Sequence, residues 1–289
     1  MNNTILETIG NTPLVRLREI EQLHQLKANI YAKLEYFNPF GSIKDRTAMQ
    51  MITDAENRGA LKSDLIIEAT SGNLGIALSA IASIKKYKSI IIMPENVSAS
   101  RIKLIKSYGS EIVFSKSAFG MIGSINKAKE ITKGKNCFYC DQFNNRSSIL
   151  AHYLSTAPEI DNDLDGMVDV IVAGIGSGGT ITGLGKYFKE KNKSTQIIGV
   201  LPETPTDTIQ GIGAGFRASI LDMRYVDRIM TSSEVEAKQA LKELMTETSI
   251  FAGVSSGAVL SVAIKLAKLN DYREKNIVVI FADSGERYI

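Results

Sequence analysis

A lysine follows a glycine-serine turn in residues 38–48, NPFGSIKDRTA, at the start of a predicted helix. Ser42 is the expected N-cap, and Asp45 occupies the capping-box position. The helix dipole and partial burial both disfavour a protonated amine, so we expect Lys44 to have a pKa below its ordinary value. An uncharged amine can form a Schiff base with an aldehyde cofactor. The alternative is a surface lysine that pairs with an acidic residue.

Small and hydroxylic residues fill three further turns, each of which follows apolar residues and opens a predicted helix. Their sequences are EATSGNLGI at 68–76, AGIGSGGTITG at 173–183 and AGVSSGAVL at 252–260. A helix start offers unpaired N–H groups and a favourable field for anions, and glycine lets a ligand approach the backbone closely. The sequence therefore predicts three cradles for negative or polar groups.

The middle turn fits the dinucleotide pattern G-x-G-x-x-G through Gly174, Gly176 and Gly179. A nicotinamide dinucleotide would also need an acidic residue after the next strand, where the sequence has Glu203. A single phosphate fits better, because GSGGT at 176–180 combines consecutive N–H donors with two hydroxyls. A glycine-rich turn without a ligand is the remaining alternative. No triphosphate-binding G-x-x-x-x-G-K-[ST] motif is present.

The composition is that of an ordinary soluble protein rather than of a nucleic-acid-binding or membrane protein. The chain has 289 residues, of which 44% are hydrophobic and 22% charged, with a formal net charge of +3. The basic residues are scattered, which disfavours a nucleic-acid partner. No apolar run reaches the length of a membrane span, and the N-terminus does not resemble a signal peptide. We therefore expect a cytoplasmic protein with no membrane partner.

The cysteines and histidines do not form a metal or nucleophile motif. Cys137 and Cys140 form one C-x-x-C pair, but no second pair completes a zinc site. We expect both cysteines to pack near a strand and predict no metal site. The only histidines are His24 and His152. We expect His152 to be a helix-packing residue, and a histidine-activated nucleophile is disfavoured.

Apolar runs rich in Val and Ile alternate with helical patterns along the chain. Such runs indicate parallel strands buried on both faces, and the alternation is typical of a doubly wound α/β fold. Ligands in these folds bind at the carboxyl ends of the strands. Residues 143–165 are the candidate crossing between two lobes. The strands are predicted at 29–37, 64–70, 89–94, 110–115, 168–175, 196–202 and 276–282.

Eight segments together resemble the cysteine synthase and cystathionine β-synthase family of fold-type II pyridoxal-phosphate enzymes. They are IGNTPLVRL at 9–17, NPFGSIKDR at 38–46, EATSGNLGIAL at 68–78, CDQFNN at 140–145, GSGGTITG at 176–183, GIGAGF at 211–216, AGVSSGA at 252–258 and SGERY at 284–288. The resemblance covers nearly the whole chain and is closest to the compact type B O-acetylserine sulfhydrylases.

This resemblance implies two doubly wound lobes with mostly parallel sheets, as in the tryptophan synthase β-subunit. Residues 39–147 would form a smaller, mobile lobe that grips the substrate. Residues 1–38 and 148–289 would form a larger lobe that binds the phosphate of pyridoxal 5'-phosphate.

The same resemblance implies a role for each matching residue. Lys44 would bind the cofactor covalently and remove the α-proton of the substrate, and Asn73 would hydrogen-bond the ring hydroxyl of the cofactor. Ser255 would face the pyridine nitrogen. The phosphate would be bound by Gly176, Ser177, Gly178, Gly179 and Thr180.

The substrate carboxylate would lie in the turn that precedes the second helix. The implied contacts are with Thr70, Ser71, Gly72, Leu74 and Gln142. Leu74 departs from the family, which usually has threonine here, so one hydroxyl that would hold the carboxylate is missing.

The implied reaction is β-replacement on a serine- or cysteine-type amino acid through an aminoacrylate. The first expectation is that O-acetyl-L-serine and sulfide give L-cysteine and acetate. A close alternative consumes cysteine and releases hydrogen sulfide, with lanthionine or serine as the product. A nicotinamide-dependent oxidoreductase and a non-catalytic binding protein are alternatives from other classes. The implied partners are a second copy of the chain and the C-terminal peptide of serine acetyltransferase.

Overall fold

The structure is a computed structural model that describes residues 2–191, 194–204, 207 and 209–289. Its strands are β1 Leu14–Arg16, β2 Asn29–Leu34, β3 Leu65–Ala69, β4 Lys88–Pro94, β5 Glu111–Ser115, β6 Phe138–Tyr139, β7 Val170–Gly174, β8 Gln196–Pro202, β9 Arg228–Ser232 and β10 Asn276–Phe281. Its α-helices are α1 Arg18–Leu23, α2 Lys44–Asn57, α3 Asn73–Lys85, α4 Ala99–Ser107, α5 Gly120–Thr132, α6 Ser147–Ala151, α7 Ala157–Asp163, α8 Gly179–Lys191, α9 Glu234–Thr248 and α10 Val254–Ala267.

Shorter helical turns complete the secondary structure. A π-helical turn, His152–Thr156, lies between α6 and α7. The 3₁₀ turns are Ile5–Thr8, Glu35–Phe37, Ser117–Phe119, Met223–Tyr225, Asn270–Tyr272 and Gly285–Tyr288. None of the helices among the described residues combines the length and the apolar character that a membrane crossing requires.

The chain divides into two compact units. The first unit comprises Met1–Ile9 and Lys44–Ser148, and the second comprises Gly10–Ile43 and Ile149–Ile289. The expectation from sequence had placed residues 39–43 with the smaller lobe and the N-terminal residues with the larger one. In the structure, the N-terminal residues up to Ile9 belong to the first unit, and the long segment of that unit begins with Lys44 at the start of α2.

The second unit is built on a six-stranded sheet with the order β1-β2-β10-β7-β8-β9. Strand β1 is antiparallel to β2, and all other neighbours are parallel. Parallel neighbours require crossover connections, which the helices of this unit provide. The parallel arrangement and the α/β alternation confirm the fold class predicted from the apolar runs.

Both faces of this sheet are buried, because successive side chains of each central strand enter different cores. In β7, Val170 and Val172 join the core that also contains α9 and α10 residues, whereas Ile171 and Ala173 join the core that contains α7 and α8 residues. Strand β10 alternates in the same way. Because both faces of these strands are buried, nearly every side chain along them is apolar. This explains why the apolar runs are continuous in the sequence.

The first unit is built on a four-stranded, fully parallel sheet with the order β5-β4-β3-β6. Ile67, Ala69 and Ile92 pack with Ala128 of α5 on one face. On the alternate positions of β3 and β4, Ile66 and Ile91 are also fully buried. Helix α3 packs beside α2 and α4 in the same unit.

Three strands were missed at the sequence level. Strands β1 and β6 have three and two residues, too few to show a periodic pattern. Strand β9, at the sheet edge, reads RIMTS and exposes most of its side chains, so it lacks the continuous apolar run by which the central strands were found.

A buried lysine on β2 faces the interior of the second unit. The side chain of Lys33 is 1% exposed, and its Nζ lies 3.1 Å from carboxylate oxygens of both Glu159 and Asp163. The same Nζ donates a hydrogen bond of 2.6 Å to the carbonyl oxygen of Thr12. Three acceptors therefore compensate the loss of hydration of one buried charge.

We expect Lys33→Ala to destabilise the second unit strongly, because it leaves acceptors that are partly or fully buried without their donor. Removal of one partner from a buried ion pair typically lowers the free energy of unfolding by about 3–5 kcal/mol. Since the side chain of Asp163 is 42% exposed, we expect the lower end, about 3 kcal/mol. The measurement is the urea dependence of circular dichroism.

The matched control is Lys238→Ala, which removes an exposed lysine paired with Glu234 one helical turn away. An exposed pair of this kind contributes at most about 0.5 kcal/mol. Equal urea midpoints for the two variants would contradict the importance of the buried pair.

Candidate functional site

The turn between β7 and α8 exposes a run of backbone donors. Strand β7 ends at Gly174 and α8 begins at Gly179. Among the described residues, the N–H groups of Ser177, Gly178, Gly179 and Thr180 donate to no backbone oxygen, whereas Thr182 already bonds back to Gly178. The turn can therefore present several N–H donors to one anion at the start of a helix.

Glycine is required in this turn by close backbone contacts. A Cβ atom on Gly176 would lie 2.5 Å from the carbonyl oxygen of Gly211. Gly178 has a φ of +87°, and a Cβ there would lie 2.7 Å from the Cβ of Leu221. Any larger residue at these two positions would displace neighbouring backbone and close the cradle.

Ser255 lies near the Gly176–Thr180 turn, because Ser255 and Gly176 both lie close to Gly211. It is in the first turn of α10 and is 7% exposed. Its Oγ would be 3.6 Å from a Cβ on Gly211, whose carbonyl oxygen approaches Gly176. Within the second unit, the structure thus brings together two of the sites predicted from sequence, the glycine-rich turn and Ser255.

Thr180 forms a hydrogen bond to His152, a contact that was not predicted from the sequence. His152 is 1% exposed, and its Nε2 lies 3.2 Å from the Oγ1 of Thr180. Its Nδ1 lies 3.0 Å from the Oγ1 of Thr156. The expectation of a helix-packing residue is therefore incomplete: His152 is buried as expected, but it also links the π-helical turn to α8.

In the first unit, the turn after β3 leads directly into α3. Thr70 is buried, whereas Ser71, Gly72 and Asn73 are half-buried. The Oγ1 of Thr70 accepts a hydrogen bond of 3.3 Å from the N–H of Gly72, which ties the turn together. Helix α3 has 13 residues, so its start provides both donors and a favourable field for a carboxylate.

Leu74 occupies the second position of α3 and is 1% exposed. Its side chain is therefore buried instead of presenting a polar group to solvent. Only the backbone N–H at this position is available as a donor.

Gln142 lies at the same edge of the four-stranded sheet as Thr70. Its side-chain Nε2 donates a hydrogen bond of 3.0 Å to the carbonyl oxygen of Ala69, the last residue of β3. Gln142 is 7% exposed. The structure thus brings Gln142 beside the turn that begins at Thr70, as the predicted set of substrate contacts requires.

Lys44 is the first residue of α2 and is half-buried. Helix α2 has 14 residues, so its dipole acts against a positive charge at this position, as predicted. Ser42, the expected N-cap, is buried and forms an isolated antiparallel bridge with Asp283.

A buried carboxyl group lies two residues before Thr70. Glu68 on β3 is fully buried, and neither of its carboxyl oxygens has a hydrogen-bond partner among the described residues. Burial raises its pKa well above the usual value, and the nearby N–H of Gln142 opposes this rise without reaching hydrogen-bonding geometry. Burial therefore favours the neutral form of the Glu68 carboxyl group.

The thiol beside Glu68 is affected in the same way. Burial, followed by the carboxyl groups of Glu68 and Asp141, raises the pKa of Cys140 well above its usual value. Both cysteines are free thiols. A buried thiol whose pKa is raised is a poor nucleophile, which agrees with the packing role expected from sequence.

Three features near the predicted site were not assigned from sequence. The loop around Gly211 was noticed only as part of a family motif, and its GIGAGF glycines were the available signal. Glu68 and His152 gave no signal, because a single acidic residue in a strand and a single histidine in a helix are common.

Comparisons with known proteins agree with one another. The model of one family, described as pyridoxal-phosphate dependent enzyme, matches residues 5–283. Cysteine synthase A of Escherichia coli K12 is 43% identical, over 98% of this chain and 92% of that protein. Among solved structures, a cysteine synthase from Entamoeba histolytica has a TM-score of 0.96 at 36% identity, covering all of this chain and 89% of the other.

A second solved structure is similar along its whole length. It is a hydrogen sulfide-producing enzyme from Fusobacterium nucleatum, with a TM-score of 0.94 and 37% identity. The match covers 100% of both chains. Together these similarities confirm the predicted fold-type II architecture.

We expect Glu68→Gln to raise the thermal midpoint of unfolding by an amount that grows with pH. The unfolded glutamate ionises above about pH 4.3, whereas burial keeps the folded one neutral to a higher pH, so the wild type loses stability as the pH rises between the two values. The glutamine variant lacks this loss. Below about pH 4 the thermal midpoints of the two proteins should be similar. At pH 8 the midpoint of the variant should be higher by about 2–4 °C for each kcal/mol gained in the free energy of unfolding.

The control is Glu111→Gln, at an exposed position on β5 of the same sheet. The difference in thermal midpoint between Glu111→Gln and the wild type should change less with pH, because solvent reaches the Glu111 carboxyl group in both the folded and the unfolded state. A Glu68→Gln difference that stays constant from pH 4 to pH 8 would contradict a neutral, buried carboxyl group.

Proposed function

The chain belongs to the family of pyridoxal-phosphate-dependent enzymes, and from this premise we propose that it joins O-acetyl-L-serine and sulfide to give L-cysteine and acetate. The identity of 43% to a cysteine synthase over 98% of the chain supports this reaction. The structural observation that carries the proposal is the Gly176–Thr180 turn: the four consecutive N–H groups from Ser177 to Thr180 donate to no backbone oxygen of the described residues, and such a run suits one phosphate.

The hydrogen-bond donors and the amine that the predicted site residues provide are of the kinds that pyridoxal phosphate requires. Close contacts at Gly176 and Gly178 keep the turn free of side chains, as backbone binding of a phosphate requires. Ser255 offers a neutral hydroxyl near this turn for the ring nitrogen. In the first unit, Lys44 supplies the amine for the covalent link and Asn73 an amide for the ring hydroxyl.

When bound, the cofactor supplies an electron-withdrawing ring conjugated to the substrate nitrogen, which makes the α-proton of the amino acid acidic. Lys44 would take this proton on Nζ and return it to the α-carbon after the nucleophile has replaced the β-substituent. Its position at the start of α2 favours the uncharged amine that accepts a proton. Ser255 is neutral and would not keep the ring nitrogen charged as a carboxylate would, so the ring would withdraw electrons less strongly, which favours elimination over transamination.

The turn after β3 would bind the substrate carboxylate. Thr70, Ser71 and Gly72 lie at the start of α3, where the helix field favours an anion. Gln142 is held against the end of β3 by its hydrogen bond to Ala69. At Leu74 only the backbone can contribute, so binding depends more on Ser71 than it would with a threonine at 74.

A cysteine-consuming reaction that releases hydrogen sulfide is the second candidate function. The observation that favours it is the match to a hydrogen sulfide-producing enzyme over 100% of both chains. The same residues would serve this reaction, because Lys44 moves the same proton and only the leaving group and the nucleophile differ.

The proposal includes two macromolecular partners. We expect a homodimer and binding of the C-terminal peptide of serine acetyltransferase, both from the family resemblance. A carboxylate-binding turn such as Thr70–Gly72 is chemically suited to the terminal carboxylate of a peptide.

Product analysis tests the proposed reaction against the second candidate. The holoenzyme is incubated with O-acetyl-L-serine plus sulfide, and separately with L-cysteine alone, and cysteine, acetate and sulfide are quantified. We expect kcat/KM for cysteine formation to exceed that for sulfide release by at least about tenfold, which is about 1.4 kcal/mol of transition-state binding. The opposite ratio would favour the second candidate.

The control for this experiment is Lys44→Ala, which should abolish both reactions. It should also abolish the covalent trapping of the cofactor by borohydride that the wild type shows. If the wild type binds no pyridoxal phosphate and forms no product in either reaction, the proposed function is wrong.

We expect Ser71→Ala to raise KM for the amino-acid substrate about tenfold with a smaller change in kcat. The reason is that it removes a hydroxyl hydrogen bond to a charged carboxylate, an interaction of about 1.5 kcal/mol. Steady-state kinetics with varied O-acetyl-L-serine measures it, and Ser63→Ala, whose hydroxyl bonds the carbonyl oxygen of Asn136, is the control in the same unit. An unchanged KM would remove Ser71 from the carboxylate site.

A further inference from the structure

We propose that Arg287 is a positioning residue for Lys44: it fixes the turn at residues 38–41 from which the chain enters α2, and so sets where the lysine amine meets the cofactor aldehyde. This inference rests on the proposed function, since it requires that Lys44 binds pyridoxal phosphate covalently. In that link the amine adds to the aldehyde carbon and one water molecule leaves, so that a C=N bond replaces the C=O bond. Arg287 touches neither cofactor nor substrate in this proposal.

Arg287 holds the turn that precedes Lys44 by a hydrogen bond to its backbone. A guanidinium N–H of Arg287 donates to the carbonyl oxygen of Phe40. The turn is closed by the N–H of Gly41, which donates a hydrogen bond of 2.8 Å to the carbonyl oxygen of Asn38. Because Arg287 is half-buried, water competes only in part with its charge-assisted hydrogen bond.

Gly41 provides the space that the guanidinium occupies. A Cβ atom on Gly41 would lie 2.5 Å from Nη2 of Arg287. Gly41 also has a φ of +80°, a conformation that glycine adopts without steric cost. The glycine before Lys44 is thus matched to an arginine near the C-terminus, although Phe40 and Arg287 are 247 residues apart in the chain.

The two residues after this turn carry the constraint on to the start of α2. Ser42 forms the antiparallel bridge with Asp283, and the N–H of Ile43 donates a hydrogen bond of 2.9 Å to the carbonyl oxygen of Ala282. Both Ser42 and Ile43 are buried. Lys44 follows Ile43 directly in the chain, so its side chain starts from a backbone position that the C-terminal segment limits.

The C-terminal segment can serve as a fixed support because it is also bound to the segment that leads into α10. The N–H of Gly253 donates a hydrogen bond of 2.9 Å to the carbonyl oxygen of Asp283. The N–H of Gly285 donates one of 3.0 Å to the carbonyl oxygen of Phe251. Arg287 therefore acts from a segment that the second unit already holds in place.

A purely structural role for Arg287 predicts a different result. In that case its loss would weaken the second unit as a whole, and with it the binding of every ligand of the phosphate turn. Pyridoxine 5'-phosphate separates the two roles, because it carries an alcohol where pyridoxal phosphate carries the aldehyde. It can occupy the phosphate turn, but it cannot form the covalent link to Lys44.

The experiment measures the equilibrium dissociation constants of pyridoxal phosphate and of pyridoxine 5'-phosphate for the full chain freed of cofactor. We expect Arg287→Met to weaken binding of the aldehyde about fivefold, as the loss of one hydrogen bond predicts, and to leave binding of the alcohol within about twofold of the wild type. Visible absorption of the bound aldehyde reports the covalent link directly and should fall in the variant at equal ligand concentration.

The matched control is Arg224→Met, which removes an arginine of the same unit whose side chain is 82% exposed and pairs with Asp222. An exposed ion pair contributes little, so both dissociation constants should stay within about twofold of the wild type.

The double variant that combines Lys44→Ala with Arg287→Met tests whether Arg287 acts through Lys44. Once Lys44 is alanine, Arg287→Met should have no further effect on binding of the aldehyde, so the two changes should be non-additive. Additive effects, equal weakening of both ligands by Arg287→Met, or an unchanged dissociation constant for the aldehyde would overturn the inference.

If Arg287→Met does not fold, Gly41→Ala takes its place and addresses the same contact from the other side. The added Cβ displaces the guanidinium, and the positive φ disfavours any side chain at this position. Binding of the aldehyde should again weaken more than binding of the alcohol. Equal weakening of both ligands, or no change in either, would likewise overturn the inference.

Failure of the inference and failure of the proposed function have different signatures. If Lys44→Ala weakens binding of the aldehyde but Arg287→Met does not, Lys44 forms the covalent link and only the role of Arg287 is wrong. If the wild type binds the aldehyde no more tightly than the alcohol, Lys44 forms no such link, and the inference falls together with that part of the proposed function.

Discussion

The first turn of an α-helix leaves its N–H groups without acceptors, and the chemistry of this chain depends on where such turns lie. Helices α3 and α8 each follow a turn of Gly, Ser and Thr residues, and α10 begins directly after Gly253 with two serines in its first turn. Small residues leave those donors accessible, and the helix dipole adds a favourable field for anions. A charge-bearing cofactor and an amino-acid substrate can thus be bound largely by the backbone, with few charged side chains.

The fold and the glycine-rich turns could be predicted from the sequence for a physical reason. Strands β7, β8 and β10 are buried on both faces, so their residues must be apolar at almost every position, and such runs are visible without a structure. The predicted strand at 196–202 agrees with Gln196–Pro202 at both ends. The turns were visible because close backbone contacts, such as that of Gly176 with Gly211, admit only glycine.

The supporting residues were not predictable, because their roles arise from contacts between segments distant in the chain. His152 and Thr180 are 28 residues apart and are joined only because Gly183 lets α8 approach the π-helical turn. Local sequence carries no trace of such a contact. Glu68 is similar: its neighbours in β3 predict a strand, but only the packed sheet shows that its carboxyl group lacks any hydrogen bond to the described residues.

Two buried ionisable groups show how burial is reconciled with function. Three acceptors surround the amine of Lys33, so a charge on this amine is compensated in the interior of the second unit. The carboxyl oxygens of Glu68 have no hydrogen-bond partner in the described part of the chain, and burial raises the pKa of this group. An ionised carboxylate two residues before Thr70 would repel an anion at the start of α3, and its effect would be strong at the low dielectric of the interior. A raised pKa favours the neutral form of Glu68, which leaves the field at the α3 start favourable to an anion.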